Sequence, residues 1–212
     1  MPRLVAFCLG LMLGLPAAQA DAVADCNQDQ DRERCIRGCT QYIRQNRDPE
    51  GLANAYHNRG VALMQKGELD RAIADYNKVI GFRPNYADAY YNRGVTHRTK
   101  GDNDRAIADY TKAIENNPND VEAYHRRGEA YQSKGNSDRA IADYSKAIEL
   151  SPNDAKLYSS RGLAYASTGY YVYAVADATK AASLGFTTAA KPPTVPPAAP
   201  SKAQPAVKAR AK

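Results

Sequence analysis

The sequence predicts an all-α solenoid of antiparallel helix pairs with an N-terminal capping half-repeat. Three observations carry this. The stretches AYHNRGVALMQKGELDRAIADYNKVIGFRP from Ala55, AYYNRGVTHRTKGDNDRAIADYTKAIENNP from Ala89 and AYHRRGEAYQSKGNSDRAIADYSKAIELSP from Ala123 recur at a fixed interval of 34 residues. Within each copy the apolar residues fall at i, i+3 and i+4, the spacing of a helix rather than a strand. Each copy is also broken midway at Gly67, Gly101 or Gly135 and closed by Pro, which divides it into two short helices. Helix pairs this short cannot bury their apolar stripes alone, so neighbouring copies must stack into a continuous core.

The elements follow in chain order. Residues 1–20 carry one charge, Arg3, then an apolar run from Leu4 to Leu15 and the small-residue sequence Pro16-Ala17-Ala18-Gln19-Ala20. This is the pattern of a secretory signal peptide cut between Ala20 and Asp21. The apolar run is too short for the roughly 20 residues of a membrane-spanning helix, so no stable membrane insertion is expected after the signal is removed. Export to the periplasm or the medium is expected. The absence of any N-x-[ST] acceptor favours a bacterial envelope over a eukaryotic secretory route.

Residues 21–52 form a leader and a capping helix. The segment ERCIRGCTQYIRQN, residues 33–46, echoes the second helix of a repeat, with Cys35-Ile36 standing where Ala72-Ile73 stands. The mature chain holds Cys26, Cys35 and Cys39, an odd number in an oxidising compartment, so one disulfide and one free thiol are expected. Cys35 and Cys39 are i, i+4 on one helix, with Cβ atoms about 5–6 Å apart, beyond the ~3.5–4.5 Å that a disulfide needs. Cys26 is therefore expected to pair with Cys39, because Cys35 takes the place of a packed Ala. The pairing Cys26–Cys35 stays open on sequence alone.

Four repeats follow, at 53–86, 87–120, 121–154 and 155–186. In the first, Tyr56, Gly60 and Leu63 share a face of one helix, and Ala72, Ile73, Tyr76, Val79 and Ile80 share a face of the next. Gly60, Gly94, Gly128 and Gly162 recur in mid-helix, where Gly costs roughly 1 kcal/mol against Ala, so a close approach is expected there, with Gly60 facing Ala72. Arg59, Arg93, Arg127 and Arg161 recur on the first helices and Asp75, Asp109, Asp143 and Asp177 on the second, which suggests an ion pair within each repeat. The fourth copy loses part of the pattern, with Tyr170, Tyr171 and Tyr173 replacing charged turn residues, as a terminal repeat that faces water can.

The set Tyr56, Gly60, Leu63, Ala72, Tyr76 and Pro84, at this period, resembles the tetratricopeptide repeat, and the resemblance covers 53–186. It departs from that family where Arg59 and its equivalents replace a usual Leu. The resemblance implies a superhelical solenoid whose first helices line a concave groove for an extended peptide or a protein. Carried over, the partner-binding positions are Asn54, Asp88 and Glu122; His57, Tyr91 and His125; Asn58, Asn92 and Arg126; and Glu129, which varies against Val61, Val95 and Leu163. The family's chaperone-tail clamp needs a Lys–Asn–Asn–Lys–Arg set of which only Asn92 and Arg126 are present, so that partner is not expected.

From Thr187 onward Pro, Ala and Lys dominate, with Lys191, Lys202, Lys208, Arg210 and Lys212 and no acid, as in a disordered basic tail. The formal charge of +6 belongs to this tail and to Arg3, which leaves residues 21–186 neutral. A neutral repeat region carries no footprint for nucleic acid. No nucleophile has a base partner, no phosphate loop occurs and no His accompanies the cysteines, so no enzyme, cofactor or metal site is expected. The function expected is a protein-interaction scaffold of the cell envelope. Its rivals are contact of the tail with an anionic surface or envelope polymer, and thiol-dependent redox chemistry.

Overall fold

The structure, a computed structural model, describes residues 25–26 and 31–186. The Ala20/Asp21 junction and the tail from 187 lie outside the described residues. All regular structure among the described residues is helical, as the periodicity requires. The chain divides after Pro118 into two compact units.

The N-terminal unit contains α1 (Arg32–Gln45), α2 (Pro49–Gln65), α3 (Leu69–Phe82), α4 (Ala87–Thr99) and α5 (Asn103–Asn116). The helix starts follow from local chemistry. Asp31, Asp48 and Asp102 each accept a hydrogen bond from a first-turn amide, at Arg34, Gly51 and Arg105, and Pro49 occupies the first turn of α2, where a missing N–H costs nothing. The turns inside the repeats form at Gly67 and Gly101, whose φ of +82° and +84° side chains rarely adopt. Helix α1 packs on α2 and its Cys35, Ile36, Cys39 and Tyr42 join Ala55, Leu63, Ala72 and Tyr76 in one core. The capping half-repeat is thus part of the core rather than an appendage. Cys26 and Cys39 are joined by a disulfide, as expected, and Cys35 is a buried free thiol.

The C-terminal unit contains α6 (Val121–Ser133), α7 (Ser137–Leu150), α8 (Ala155–Ser167) and α9 (Tyr171–Ser183). Ala140, Tyr144, Ala164 and Ala174 form its core, and Tyr131, Tyr170 and Tyr173 pack against it. Tyr165 meets Tyr170 and Tyr173 at ring-centroid distances of 6.1 and 5.4 Å. Tyr170 and Tyr173 of the last repeat therefore extend its core.

Three of the four mid-helix glycines face aromatic rings, which corrects the pairing of Gly60 with Ala72. A Cβ on Gly60 would lie 2.9 Å from the ring of Tyr76, on Gly94 2.9 Å from Tyr110 and on Gly128 2.6 Å from Tyr144. Repeat four has Ala178 in that place, and the nearest atoms to a Cβ on Gly162 are the Ala174 carbonyl oxygen and the Asp177 Cβ, both at 3.3 Å, rather than a ring.

Candidate protein-interaction surface

A scaffold must hold its first helices in register, and a repeated ion pair does so here. Arg59, Arg93, Arg127 and Arg161 each donate two hydrogen bonds to the aspartate sixteen residues on, Nε to Oδ2 and Nη2 to Oδ1, at 2.6–2.9 Å. This fork-to-carboxylate geometry fixes orientation as well as distance. Asp75, Asp109, Asp143 and Asp177 are 5–6% exposed. Burial works against the charges of Arg59, Arg127 and Arg161, but the hydrogen bonds and charge of their aspartates outweigh it and hold the guanidiniums above their ordinary value. Burial raises the Asp143 carboxyl while two bonds from Arg127 lower it, and the bidentate geometry keeps that pair charged.

A ring contact in all four arginines and a third hydrogen bond in Arg59, Arg93 and Arg161 complete the arrangement. Each guanidinium lies over the ring of the tyrosine three residues earlier, at 5.4 Å for Tyr56, 5.5 Å for Tyr90 and 5.7 Å for Tyr124 and Tyr158. The third nitrogen reaches the preceding second-type helix: Arg59 to Thr40 at 3.0 Å, Arg93 to Asn77 at 2.5 Å and Arg161 to Ser145 at 3.1 Å. One side chain thus ties three helices together. This third contact was missed in the sequence, where the signal was a short hydrogen-bonding residue recurring at 40, 77, 111, 145 and 179.

The positions that vary between repeats divide by unit. In the N-terminal unit His57, Asn58, Tyr91 and Asn92 are fully buried, and Val61 is 1% exposed. Asn58 donates to the Cys26 carbonyl at 3.4 Å and Asn92 bonds the His57 Nε2 at 3.0 Å. Tyr91 packs on Tyr110 at 5.9 Å. Burial lowers His57 to about 4, against a smaller opposing pull from Asp88, so the ring is neutral at pH 7. The expectation that these four line an open groove is corrected: they are interior residues, and only Asn54 and Asp88 of that unit's carried-over set are half-buried. The physical reason is that the variable rows fill the space beside α1, α3 and α5 instead of facing solvent.

In the C-terminal unit the same rows are accessible. Glu122, Arg126 and Glu129 are half-buried on α6, Ser159 and Ser160 are half-buried on α8, and Lys156 is exposed there. Arg126 is held between Glu122 at 2.8 Å and Glu129 at 3.0 Å. Leu163, in the row of Glu129, is 60% exposed. His125 is the exception. It is fully buried beneath this face and bonds the Ser160 hydroxyl at 3.0 Å, and burial lowers its pKa against the pull of Glu129. The accessible face thus combines one apolar contact, two cations, two acids and two hydroxyls, groups suited to a polypeptide.

Models of the tetratricopeptide repeat match residues 87–120 and 109–142, and a model of the TPR repeat matches 60–101 and 130–169. Together they run from residue 60 to residue 169, more than half the chain. The chain belongs to the tetratricopeptide repeat family. Its replacement of the family's Leu by Arg59 and its equivalents is accommodated by the ion-pair ladder just described. No curated protein sequence matches the chain. Among solved structures it is similar to MamA, at 26% identity and a TM-score of 0.70 over 81% of this chain and 95% of that one. It is similar also to MamA from Desulfovibrio magneticus RS-1, at 24% identity and 0.71 over 79% and 94%. A third likeness is to YrrB, described as a TPR protein with an unusual peptide-binding site, at 22% identity and 0.63 over 72% and 77%. The two likenesses below 25% identity bear on the fold alone. Family and fold together support a protein-interaction scaffold with protein or peptide partners. Among the described residues no helix is long and apolar enough to cross a membrane.

Proposed function

We propose that this tetratricopeptide repeat protein is exported to the cell envelope and binds an extended polypeptide on the first-helix face of its C-terminal unit. The observation that carries the reading is a contrast within the repeats. The residues that recur, Arg127, Asp143, Arg161 and Asp177, are locked into the scaffold, whereas the variable residues Arg126, Glu129, Lys156 and Leu163 of α6 and α8 are accessible. Leu163 supplies the apolar contact and Arg126, with Lys156, the charge that anchors a partner. In the N-terminal unit Asn54 and Asp88 are the half-buried members of the carried-over set, while His57, Asn58, Tyr91 and Asn92 are interior. Export rests on the signal-like residues 1–20 and on the Cys26–Cys39 bridge, which fits an oxidising compartment.

Capture from an envelope extract tests the reading. The full mature chain is compared with Leu163→Asp, with Arg126→Ala and with a chain ending at Phe186. Loss of capture in the first two, with capture kept on truncation, supports the face. Normal capture by both variants and loss on truncation would transfer the activity to the five cations of the tail.

A further inference from the structure

Helices α3 and α7 each meet a first-type helix on the far side from their own pair partner, and those interfaces show what such a side is built to receive. Helix α3 packs on α2 and α4, and α7 on α6 and α8, whereas α9 packs on α8 alone among the described residues. On α1, α3 and α7 the far side offers an acceptor, Thr40, Asn77 or Ser145, to the third nitrogen of the arriving helix's arginine. Thr179 stands in that register on α9. Its hydroxyl donates to the Val175 carbonyl at 2.8 Å, which leaves its lone pairs to accept, and no donor among the described residues reaches it.

The surroundings of Thr179 have the character of a covered face. The Asp-Arg pair that opens α3, α5 and α7 (Asp70-Arg71, Asp104-Arg105, Asp138-Arg139) is replaced on α9 by Val172-Tyr173. Val172 is 54% exposed, and Ala176, one turn on, is exposed as well. Ala182 stands where the first repeat has Ile80, which leaves room there for a close helix approach. We infer that the far side of α9 is a docking surface for an arginine-bearing amphipathic helix of a partner protein, stacked as the first helix of a further repeat with its guanidinium on Thr179. The three internal interfaces of the same register define this occupant, and the surface is separate from the first-helix face assigned above.

A probe for such a helix exists within the chain. Peptide 85–101, which contains the arginine in question at Arg93, is titrated into the isotopically labelled full mature chain while amide signals are followed by NMR. Saturable shifts at Val172, Val175 and Thr179, weakened tenfold or more by Arg93→Ala in the peptide and abolished by Val172→Asp in the chain, support the inference. Absence of shifts there at millimolar peptide, equal binding of the Arg93→Ala peptide, or shifts confined to α6 and α8 overturn it. So do two control results that identify another occupant of the face: a dimer by sedimentation that Val172→Asp dissociates, or Val172 and Thr179 signals that move when residues 187–212 are deleted. Failure here leaves the capture experiment on Leu163 untouched.

Discussion

The first helices of the two units differ in what they do with the same positions. In α2 and α4 the variable rows hold His57, Asn58, Tyr91 and Asn92, all fully buried. In α6 and α8 the same rows hold Arg126, Glu129, Ser159, Ser160 and Leu163, which reach solvent. A position that varies from repeat to repeat therefore has two uses. It can make a specific buried hydrogen bond, as Asn92 does with His57, or present a side chain to a partner. Variation alone does not separate these, because both relax the constraint that fixes Gly60 against Tyr76 or Arg59 against Asp75.

The largest effect should come from the ladder that the two units share. Asp109→Ala leaves Arg93 in a half-buried site without its carboxylate, a loss of about 3 kcal/mol, whereas Arg93→Leu with Asp109→Leu should lose much less because neither charge is left unpaired. Urea denaturation of the three chains measures this. An equal loss in single and double variants would mean that the aspartate contributes packing rather than charge.

Only the N-terminal unit is stapled. Cys39→Ser opens the loop to Cys26 and should destabilise that unit by about 3 kcal/mol on the chain-entropy model, while Cys35→Ala removes a buried thiol at roughly 1 kcal/mol. Hydrogen exchange resolved by helix should place the Cys39→Ser effect in α1 and α2 and leave α8 and α9 unchanged.

Acid should also act unevenly. His57 in the folded chain titrates at about 4 against roughly 6.5 unfolded. Below 6.5 the unfolded chain takes up a proton that the folded one refuses, so stability falls as pH drops, by about 2 kcal/mol between pH 7.5 and 5. His57→Gln should remove that share of the slope and leave the shares of His97 and His125, which burial also lowers, and denaturation midpoints at the two pH values read the difference directly. The smallest effect separates the repeats themselves. Gly94→Ala forces a methyl against the Tyr110 ring and should cost about 1–2 kcal/mol, but Gly162→Ala, with no ring opposite, should be close to neutral because Ala is the better helix former.

The fold was legible because its cause is local and repeated. Apolar spacing, Gly67 and its equivalents at the turns, and Pro84 at the closing position state the helix pairs three times over. The disulfide was legible in part: helix geometry removed Cys35 as a partner of Cys39, and the preference for Cys39 as the partner of Cys26 rested on Cys35 standing where the repeats have a packed Ala. The binding surface was legible only in part. Burial of Tyr91 and His57 depends on how neighbouring helices fill space around them, and nothing in the types Tyr and His distinguishes an interface anchor from a core residue. The Thr40, Asn77 and Ser145 contacts were missed because a short polar residue on an exposed-looking face reads as solvated unless its recurrence is noticed.

A crossed comparison of Tyr91→Ala and Leu163→Asp tests the account most directly, with thermal melting and partner capture measured on both. Tyr91→Ala should lower the melting temperature by about 10 °C, from a loss of roughly 3 kcal/mol, and bind its partner normally below that temperature. Leu163→Asp should melt within about 2 °C of the parent and lose capture at least tenfold. The reverse pattern, with Tyr91→Ala folded and unable to bind and Leu163→Asp binding normally, would contradict the division of the repeats into a buried support and an accessible face.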